Sequence, residues 1–340
     1  MDGTKKKVTM ADIAERLGIS KNSVSLALRG LRGVGDDLRR RISETAAEMG
    51  YGGAARPDAL RDACLAVVIP AYLQDDIFFY SEVLWAIDGE AKAHGASAVH
   101  IGVTAEMEAN CELPAMPRGL RVIGILIVGV FSGKYVERLK EAGPPLLSVD
   151  IMYVGLPYVG SSNLMGGATA ARRLIGLGHR EIGFIGPIYS AVSVYERWCG
   201  FGLAMREAGL DPGNGYNILG GQTFKLFDSE EVLEPYVRKI GKFPTAWFCA
   251  GDRIAIAMIH LLSRLGLRVP DDVSVMGFDD ILAAQMVLPR LTTIRTDRKL
   301  MGRLSADYFF REENGGDAGT PLGRIVPFEL VERESVKRLC

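Results

Sequence analysis

The sequence predicts a small all-α head followed by an α/β body that contains two doubly wound parallel-sheet subdomains. The chain has 340 residues, more than a single ordinary domain of roughly 100–200 residues. The first fifty residues show three short helical patterns, whereas short apolar runs alternate with longer amphipathic stretches from Cys64 onwards. Strand–helix alternation of this kind predicts parallel sheets joined by right-handed crossovers.

The predicted head is a helix-turn-helix followed by a third helix. Thr9 and Asp12 have the spacing of a capping box for the first helix, and Gly18 ends it by entering a left-handed turn. Ser20 caps the second helix, so only a few residues separate the two, as in a helix-turn-helix. The three helices are expected over residues 10–17, 21–28 and 36–49. Their shared core is expected to contain Ile13, Ala14, Leu17, Val24, Ala27, Leu28, Leu38, Ile42, Ala46 and Met49.

The face of the second helix that points away from this core carries long or hydrogen-bonding side chains. Such side chains can reach base edges and phosphates in a major groove, and Leu26 could contact a thymine methyl group. A solvated face of an ordinary three-helix bundle is the alternative. Residues 1–62 hold 12 Lys or Arg against 9 Asp or Glu, which agrees with a polyanionic partner. The predicted DNA-binding residues of the head are Thr9, Ser20, Lys21, Asn22, Ser23, Ser25, Leu26 and Arg29.

The body divides into two series of strands and helices. The first series has strands expected over 65–69, 98–101, 123–128 and 146–149, with helices over 82–94 and 134–141. The second has strands over 182–185, 245–248 and 273–276, with helices over 164–177, 195–208, 230–240 and 253–265. Ligands of such sheets bind at the carboxyl ends of the strands. Asp252, Asp279 and Asp280 follow strands in this way, although each could instead cap a helix, and capping is the favoured interpretation for Asp252.

Little in the sequence favours an enzyme, a secreted protein or a membrane protein. It has no glycine-rich phosphate loop, zinc-protease motif or nucleophile elbow, and His179 is expected to be structural, so neither a cofactor nor a metal is predicted. The five cysteines lack metal-like spacing, which fits a reducing compartment. The longest strongly apolar run, residues 122–131, is far short of the ~20 residues of a membrane span, and no apolar segment follows the basic N-terminus. We therefore expect a cytoplasmic protein.

The segment VTMADIAERLGISKNSVSLALRG, followed by a third helix and MGY, resembles the DNA-binding head of the LacI/GalR family of bacterial repressors. The resemblance continues, in the family's order and spacing, through SVDIMYVGLPYVGSSN, LIGLGHREIGFIG, YERWCGF, PTAWFCAGDRIAIA, LRVPDDVSVMGFDD and LPRLTTIRTD. It implies a helix-turn-helix domain over 1–50, a hinge over 51–63 and an effector-binding and dimerisation domain over 64–340. The body would then resemble periplasmic binding proteins, with an amino-terminal subdomain of about 64–160 and 295–325 and a carboxyl-terminal subdomain of about 161–293 and 327–340. The chain would cross between them near Gly160, Ile294 and Val326.

The resemblance implies a transcriptional repressor that binds a palindromic operator as a homodimer and responds to a small effector in the cleft between the subdomains. The effector-binding residues it implies are Phe78, Phe79, Ser193, Arg197, Asp252 and Asp279. Arg197 would donate to ligand oxygens and Asp279 would accept from ligand hydroxyl or N–H groups, whereas a core role for one of the two phenylalanines is equally open. Gly251 replaces the Asn of many sugar-responsive members, which leaves a sugar-like effector and a nucleobase both open. A solute-binding protein without a transcriptional role is the alternative, disfavoured by the attached head.

The hinge departs from the family pattern. Leu60 stands at the position where relatives insert a Leu as a wedge into the minor groove, but Pro57 and Asp58 replace the usual Ala and Arg. Proline is accepted only in the first turn of a helix, and Asp58 places a negative charge near phosphates. We expect a hinge helix that starts no earlier than about Arg56 and contributes less to affinity than in relatives.

Overall fold

The predicted combination of a helical head with two parallel-sheet subdomains is confirmed by a computed structural model of the chain. The structure describes residues 8–28, 33–49, 51, 60, 62–73, 79–220, 227–313 and 323–339. In this part of the chain, none of the helices has the length and apolar character that a membrane crossing requires.

The head forms as predicted. Its helices are α1 (Met10–Leu17), α2 (Lys21–Leu28) and α3 (Asp36–Glu48). Thr9 and Asp12 make both bonds of the capping box, and Gly18 follows α1 in the left-handed conformation with φ 65°. The Ser20 hydroxyl accepts the Ser23 N–H at 3.0 Å and so caps α2. The fully buried core of the head consists of Ile13, Ala14, Val24, Ala27, Ile42 and Ala46, with the other predicted positions packed around it.

The amino-terminal subdomain is built on a six-stranded parallel sheet with helices on both faces. Its strands are β1 (Ala63–Pro70), β2 (Ser97–Val103), β3 (Arg121–Val128), β4 (Leu146–Val149), β5 (Tyr158–Ser161) and β10 (Gly323–Val326). They lie in the order β10-β5-β4-β3-β1-β2. Its helices are α4 (Tyr80–Ala93), α5 (Ala105–Ala109), α6 (Gly133–Lys140) and α11 (Arg298–Glu313), and a short 3-10 turn spans Ala71–Leu73.

The carboxyl-terminal subdomain contains a five-stranded sheet in the order β11-β9-β8-β7-β6. Its strands are β6 (Ile182–Ile185), β7 (Ala246–Cys249), β8 (Ser274–Asp279), β9 (Thr292–Thr296) and β11 (Phe328–Val331). Its helices are α7 (Asn163–Gly176), α8 (Val192–Glu207), α9 (Glu230–Val237) and α10 (Asp252–Arg264), and a 3-10 turn spans Leu282–Gln285. The sheet departs from the all-parallel expectation at one edge, because β11 runs antiparallel to β9.

Three single residues carry the chain between the subdomains. Ser162 joins β5 to α7, Asp297 joins β9 to α11, and Pro327 joins β10 to β11. Each lies within a few residues of the crossing that the resemblance implied. Because each link is this short, the carboxyl ends of the strands in the two sheets are held close to one another.

His179 has the structural role expected for it. Its ring is fully buried, with Nδ1 2.9 Å from the Thr245 hydroxyl and Nε2 3.0 Å from the Lys337 carbonyl oxygen. Burial lowers the pKa of His179, since the charged imidazolium would have to be desolvated. The ring thus ties the turn after α7 to β7 and to the C-terminal segment.

Leu60 lies in the core of the amino-terminal subdomain, where it is 3% exposed. Its carbonyl oxygen accepts the Ala63 N–H at 2.9 Å, and β1 begins at Ala63. A Leu that wedges into a minor groove would first have to leave this core, which costs about 1.5–3 kcal/mol. The structure therefore argues against the wedge role implied for Leu60, which here anchors the body. Arg56, Pro57 and Asp58 lie outside the described residues.

Glycines bring the helices that carry the site into backbone contact. A Cβ added at Gly200 of α8 would meet the Leu164 carbonyl oxygen of α7, and one at Gly167 of α7 would meet the backbone of Arg197. Between α11 and α4, a Cβ at Gly302 would likewise meet the Val83 carbonyl oxygen. The backbone atoms in these contacts cannot rotate away as side chains do, so the helix pairs are fixed in their spacing.

We expect Gly200→Ala to lower the free energy of unfolding by about 1–3 kcal/mol, since the added methyl group must push α8 away from α7. Gly176→Ala at the end of α7 is the matched control, because nothing lies within 4 Å of its added Cβ. That substitution should be neutral or stabilise by about 0.5–1 kcal/mol. Chemical denaturation of the two variants measures both effects. Equal stability of the two variants would show that the close contact at Gly200 is unimportant.

We expect Leu60→Ala to destabilise the body by about 2–5 kcal/mol, as for other buried Leu residues. Leu203→Ala in α8 is the control, since Leu203 is 40% exposed and should tolerate truncation. Chemical denaturation gives the stabilities, and operator affinity is measured on the folded variants. A Leu60→Ala protein that keeps its stability but loses operator binding would restore the wedge role.

Candidate DNA-binding head and effector cleft

The predicted DNA-binding residues of the head fall into two groups: some side chains are exposed or half-buried, and others are hydrogen-bonded in the helix caps. Lys21 and Asn22, at the start of α2, are exposed, and Ser25 and Leu26 follow one turn later, half-buried. Because residues three and four apart share a helix face, these side chains form one surface. Arg29 lies outside the described residues. The side chain of Thr9 is hydrogen-bonded to Asp12 at the start of α1. The side chains of Ser20 and Ser23 pair with each other at the start of α2, with 2.8 Å between their hydroxyl oxygens.

Arg39 of α3 holds the end of the exposed helix, a role that sequence reasoning missed. Its guanidinium donates to the Ala27 carbonyl oxygen at 3.0 Å and to the Val34 carbonyl oxygen at 3.4 Å. The last carbonyl groups of a helix have no partner within it, so an Arg from the next helix satisfies them. The local sequence pattern does not predict this contact, because the accepting carbonyl groups belong to residues 12 and 5 positions before Arg39.

The second site lies between the two sheets and is built around Arg197. This residue of α8 is 4% exposed, and its guanidinium lies 3.8 Å from the centre of the Phe278 ring. Its Nε donates to the Asn163 side-chain oxygen at 2.9 Å and its Nη1 to the Ala250 carbonyl oxygen at 2.5 Å. Its Nη2 lies 3.2 Å from Oδ1 of Asp279. The structure thus brings together the two residues expected to bind the effector.

Asp279 and Asp280 have different surroundings at the end of β8. Both have positive φ, 110° and 53°, a conformation that costs free energy in residues other than glycine. The Asp280 carboxylate is held by Arg295 at 2.7 Å and by Arg333 at 2.6 Å, which makes it a structural residue. Asp279 faces Arg197 instead. Its Oδ1 lies within ion-pair distance but makes no aligned hydrogen bond, so it can still accept one.

The pKa of Asp279 is raised to about 6, mainly because burial disfavours its charged form. The positive charges of Arg197 and Arg298 oppose this effect, whereas Asp150 adds to it. Asp279 therefore changes its charge near neutral pH.

The Asp252 side chain does not cap its own helix, and both its carboxylate oxygens already accept hydrogen bonds within the protein. It is the first residue of α10, and the preceding Gly251 is the cap residue without a side-chain bond. Asp252 is fully buried, and its two oxygens accept the Ile281 N–H at 2.9 Å and the Thr293 hydroxyl at 2.6 Å. The favoured interpretation as a cap of its own helix was therefore wrong. Asp252 braces the turn after β8 against β9, and burial raises its pKa.

The amino-terminal side of the cleft is formed by Asp150, which sequence reasoning missed. It follows β4 with φ 69° and is 5% exposed. Its Oδ2 accepts the Tyr80 hydroxyl at 3.1 Å, whereas its Oδ1 has no hydrogen-bond partner. Burial raises the pKa of Asp150, and the charge of Arg197 across the cleft opposes the shift. Asp150 could have been predicted by the same signal as Asp279, because it is a carboxylate directly after a buried strand.

The remaining predicted effector residues lie around this centre. Ser193 is buried one turn before Arg197 on the same face of α8. Phe79 packs edge-on against Tyr80, with 5.0 Å between ring centres, and contacts the core of the amino-terminal subdomain, as the alternative core role requires. Phe78 lies outside the described residues. Glu196, also missed, accepts from the Asn163 amide at 3.2 Å, and burial raises its pKa.

Chemically, the cleft offers more acceptors than donors. Asp150 and Asp279 each present one oxygen without an aligned hydrogen bond. The guanidinium of Arg197 already donates hydrogen bonds from Nε and Nη1, and its Nη2, which faces Asp279, can still donate to a ligand. In the described part of the chain, the group of side chains that could hold a metal is Glu90, His94 and Asp307 on α4 and α11, outside the cleft. The cleft therefore suits a ligand with several hydroxyl or N–H groups.

Comparisons with known proteins show which proteins the chain resembles. Residues 171–336 match the periplasmic binding protein-like domain family. The HTH-type transcriptional regulator GntR of Escherichia coli K12 is 28% identical over 336 residues, covering 96% of this chain and 98% of the relative. The solved complex of the transcriptional regulator CelR with cellobiose superimposes with a TM-score of 0.70 at 24% identity, covering 97% of this chain and all of the other. The lac repressor dimer bound to operator and the anti-inducer ONPF gives a TM-score of 0.68 at 24% identity, covering 98% and 100%.

The match to a full-length regulator spans head and body alike, and the similar solved structures share the whole architecture rather than one domain. Along almost its full length the chain is therefore similar in sequence to HTH-type transcriptional regulators, and it shares the fold of the lac repressor.

Proposed function

We propose that this chain is a sequence-specific transcriptional repressor of the LacI/GalR type that acts in the cytoplasm as a homodimer. A small polar effector in the cleft would control its affinity for a palindromic operator. The observation that carries the proposal is the presence, on one chain, of an exposed α2 surface and of a cleft that pairs Arg197 with Asp279. A solute-binding protein without a transcriptional role would have no use for the head.

Specific DNA binding calls for two heads. The described core of one head is formed by three short helices, and a single small module buries too little surface on DNA for tight specific binding. Two heads related by a two-fold axis read two half-sites, so the site mirrors the symmetry of the dimer. Lys21 and Asn22 are the described, exposed side chains best placed to contact phosphate and base edges.

The body presents apolar side chains suited to hold the two chains together. Leu282, Met286 and Leu288, which follow β8, are 67%, 73% and 83% exposed, and Trp85 of α4 is 70% exposed. Large exposed apolar side chains are typical of interaction surfaces. We assign this surface, called the apolar face below, to the second copy of the chain. The similar lac repressor structure is a dimer on its operator, which supports the assignment.

The effector is expected to be a neutral molecule rich in hydrogen-bond donors, most simply a sugar-like one. Asp150 and Asp279 would accept from its hydroxyl groups across the cleft, whereas Arg197 would donate to a ligand oxygen. CelR, with a similar fold, was solved with cellobiose. A nucleobase, which also carries N–H donors, is the second candidate. The described polar groups of the cleft, Arg197, Asp150, Asp279 and Asn163, are suited to hydrogen-bond a ligand, so we propose binding rather than catalysis.

Selection of bound sequences from random DNA tests the DNA-binding role. We expect a pseudo-palindrome, a changed sequence preference for Asn22→Ala, and uniformly weaker binding for Lys21→Ala with a salt slope lower by about one. Lys140→Ala in α6 of the body is the control and should leave binding unchanged. A monomer that binds all sequences alike would contradict the proposal.

A thermal-shift screen of sugars and nucleobases identifies the effector, and titration calorimetry then measures its affinity. Asp279→Asn should weaken binding by about 1.5–3 kcal/mol, the value of a hydrogen bond to a charged group. Because a hydrogen-bond donor binds the ionised carboxylate, wild-type affinity should fall as the pH drops through about 6, the raised pKa of Asp279.

This dependence on pH should vanish in Asp279→Asn and persist in the control Asp271→Asn, which changes an exposed carboxylate of the same subdomain. An unchanged affinity in Asp279→Asn would remove Asp279 from the site.

A further inference from the structure

We infer that Arg298 is a positioning residue that links the effector cleft to helix α4 and so to the apolar face. The inference rests on the proposed function. Arg298 is the first residue of α11 and is 5% exposed. Its guanidinium joins elements of both subdomains, which sequence reasoning did not foresee.

One guanidinium holds three oxygens. Nη1 of Arg298 donates to the main-chain carbonyl oxygen of Asp279, and Nη2 donates to that of Asp280 at 3.1 Å. Nη2 also donates to Oε1 of Glu82, in the first turn of α4, at 3.2 Å. The two carbonyl groups belong to the carboxyl-terminal subdomain, whereas Arg298 and Glu82 belong to the amino-terminal one. Arg298 therefore ties the end of β8 to α4.

The amino-terminal half of this link is rigid. At Gly302, one turn after Arg298, α11 lies in backbone contact with α4 at Val83, the neighbour of Glu82. Arg298 and Glu82 must therefore move together with α4. The other half depends on the turn at Asp279 and Asp280, whose positive φ angles direct the chain out of β8.

The same residue, Asp279, contacts both the cleft and the link. Its side chain faces Arg197, where the effector is proposed to bind, and its carbonyl oxygen is held by Arg298. An effector that repositions Asp279 must stretch or tighten the bonds of Arg298. Trp85 lies three residues after Glu82 and thus near it on the surface of α4. A change at Asp279 can in this way reach the apolar face and, through the dimer, the spacing of the two heads.

A purely structural ion pair would stabilise the body without transmitting anything. The two roles differ in a reciprocal effect. If the link couples the sites, operator binding must change effector affinity by the same factor as the effector changes operator affinity, and it must therefore also act on the end of β8. Hydrogen exchange of the amides in residues 279–285, with and without operator duplex, measures this effect without any effector. The variant Glu82→Ala cuts the link at α4 and leaves the cleft residues in place.

We expect the operator duplex found by selection to change exchange over 279–285 by at least about fivefold in wild-type protein, a typical size for coupling between sites. In Glu82→Ala the change should fall below about twofold while the duplex still binds. Arg298→Lys should behave in the same way, because a single ammonium lacks the planar fork. The matched control is Glu90→Ala on the same helix, since Glu90 pairs with His94 at the end of α4 and not with Arg298.

An operator-induced change in Glu82→Ala as large as in wild type would overturn the inference. Faster exchange in β7 as well would indicate general unfolding instead and would also count against it. If no duplex binds the wild-type chain, the proposed function fails, but the link is still tested in the free protein. Exchange over 279–285 should then be faster in Glu82→Ala than in wild type, and equal rates would overturn the link.

Discussion

The ion pair of Arg197 with Asp279 is the interaction on which the cleft depends, because both partners are nearly withdrawn from water. Removing charges from water costs several kcal/mol per ion unless hydrogen bonds compensate. Here Asn163, the Ala250 carbonyl group and the face of Phe278 complete the surroundings of the guanidinium. The arrangement requires α8 to lie at a fixed distance from α7, which the glycine contacts between these helices provide. The packing of α8 on α7 therefore holds the guanidinium of Arg197 in its position beside Asp279.

The carboxylates near the end of β8 show how surroundings divide roles among similar residues. Asp252 is satisfied by a backbone N–H and a hydroxyl, and Asp280 by two guanidinium groups, so both hold the turn in shape. Asp279 alone of the three retains an oxygen without an aligned bond. Asp279 can bind a ligand because Asp252 and Asp280 already make the contacts that fix the turn after β8. Gly277 fits this scheme, since a Cβ there would meet the Asp252 carboxylate.

The features that could be predicted from the sequence are those that depend on residues close together in the chain. In the head, these features are the cap at Thr9, the left-handed turn at Gly18 and the helical spacing of the core residues. In the body, the alternation of apolar runs with amphipathic stretches predicts the central strands. The 16-residue helix α11, strand β5 and the reversed edge strand β11 were missed, because tertiary packing defines them. The contact of Arg298 with Glu82 joins residues 216 positions apart, and Arg39 contacts residues outside its own helix. The wedge role implied for Leu60 follows its position relative to Tyr51, whereas its proximity to β1 determines its burial in the structure.

Two carboxylates of the cleft account for the kind of ligand proposed for it. Asp150 and Asp279 belong to different subdomains and both interact with the charge of Arg197. Burial nevertheless raises the pKa of each carboxyl group. A ligand with hydroxyl or N–H groups supplies the missing donors to both and so favours the approach of the two sheets. An anionic ligand would add a like charge beside two buried carboxylates and would have to compete with Asp279 for Arg197. The binding free energy of a neutral polyol would therefore arise from satisfying groups that the fold leaves unpaired, and the same contacts would favour closure.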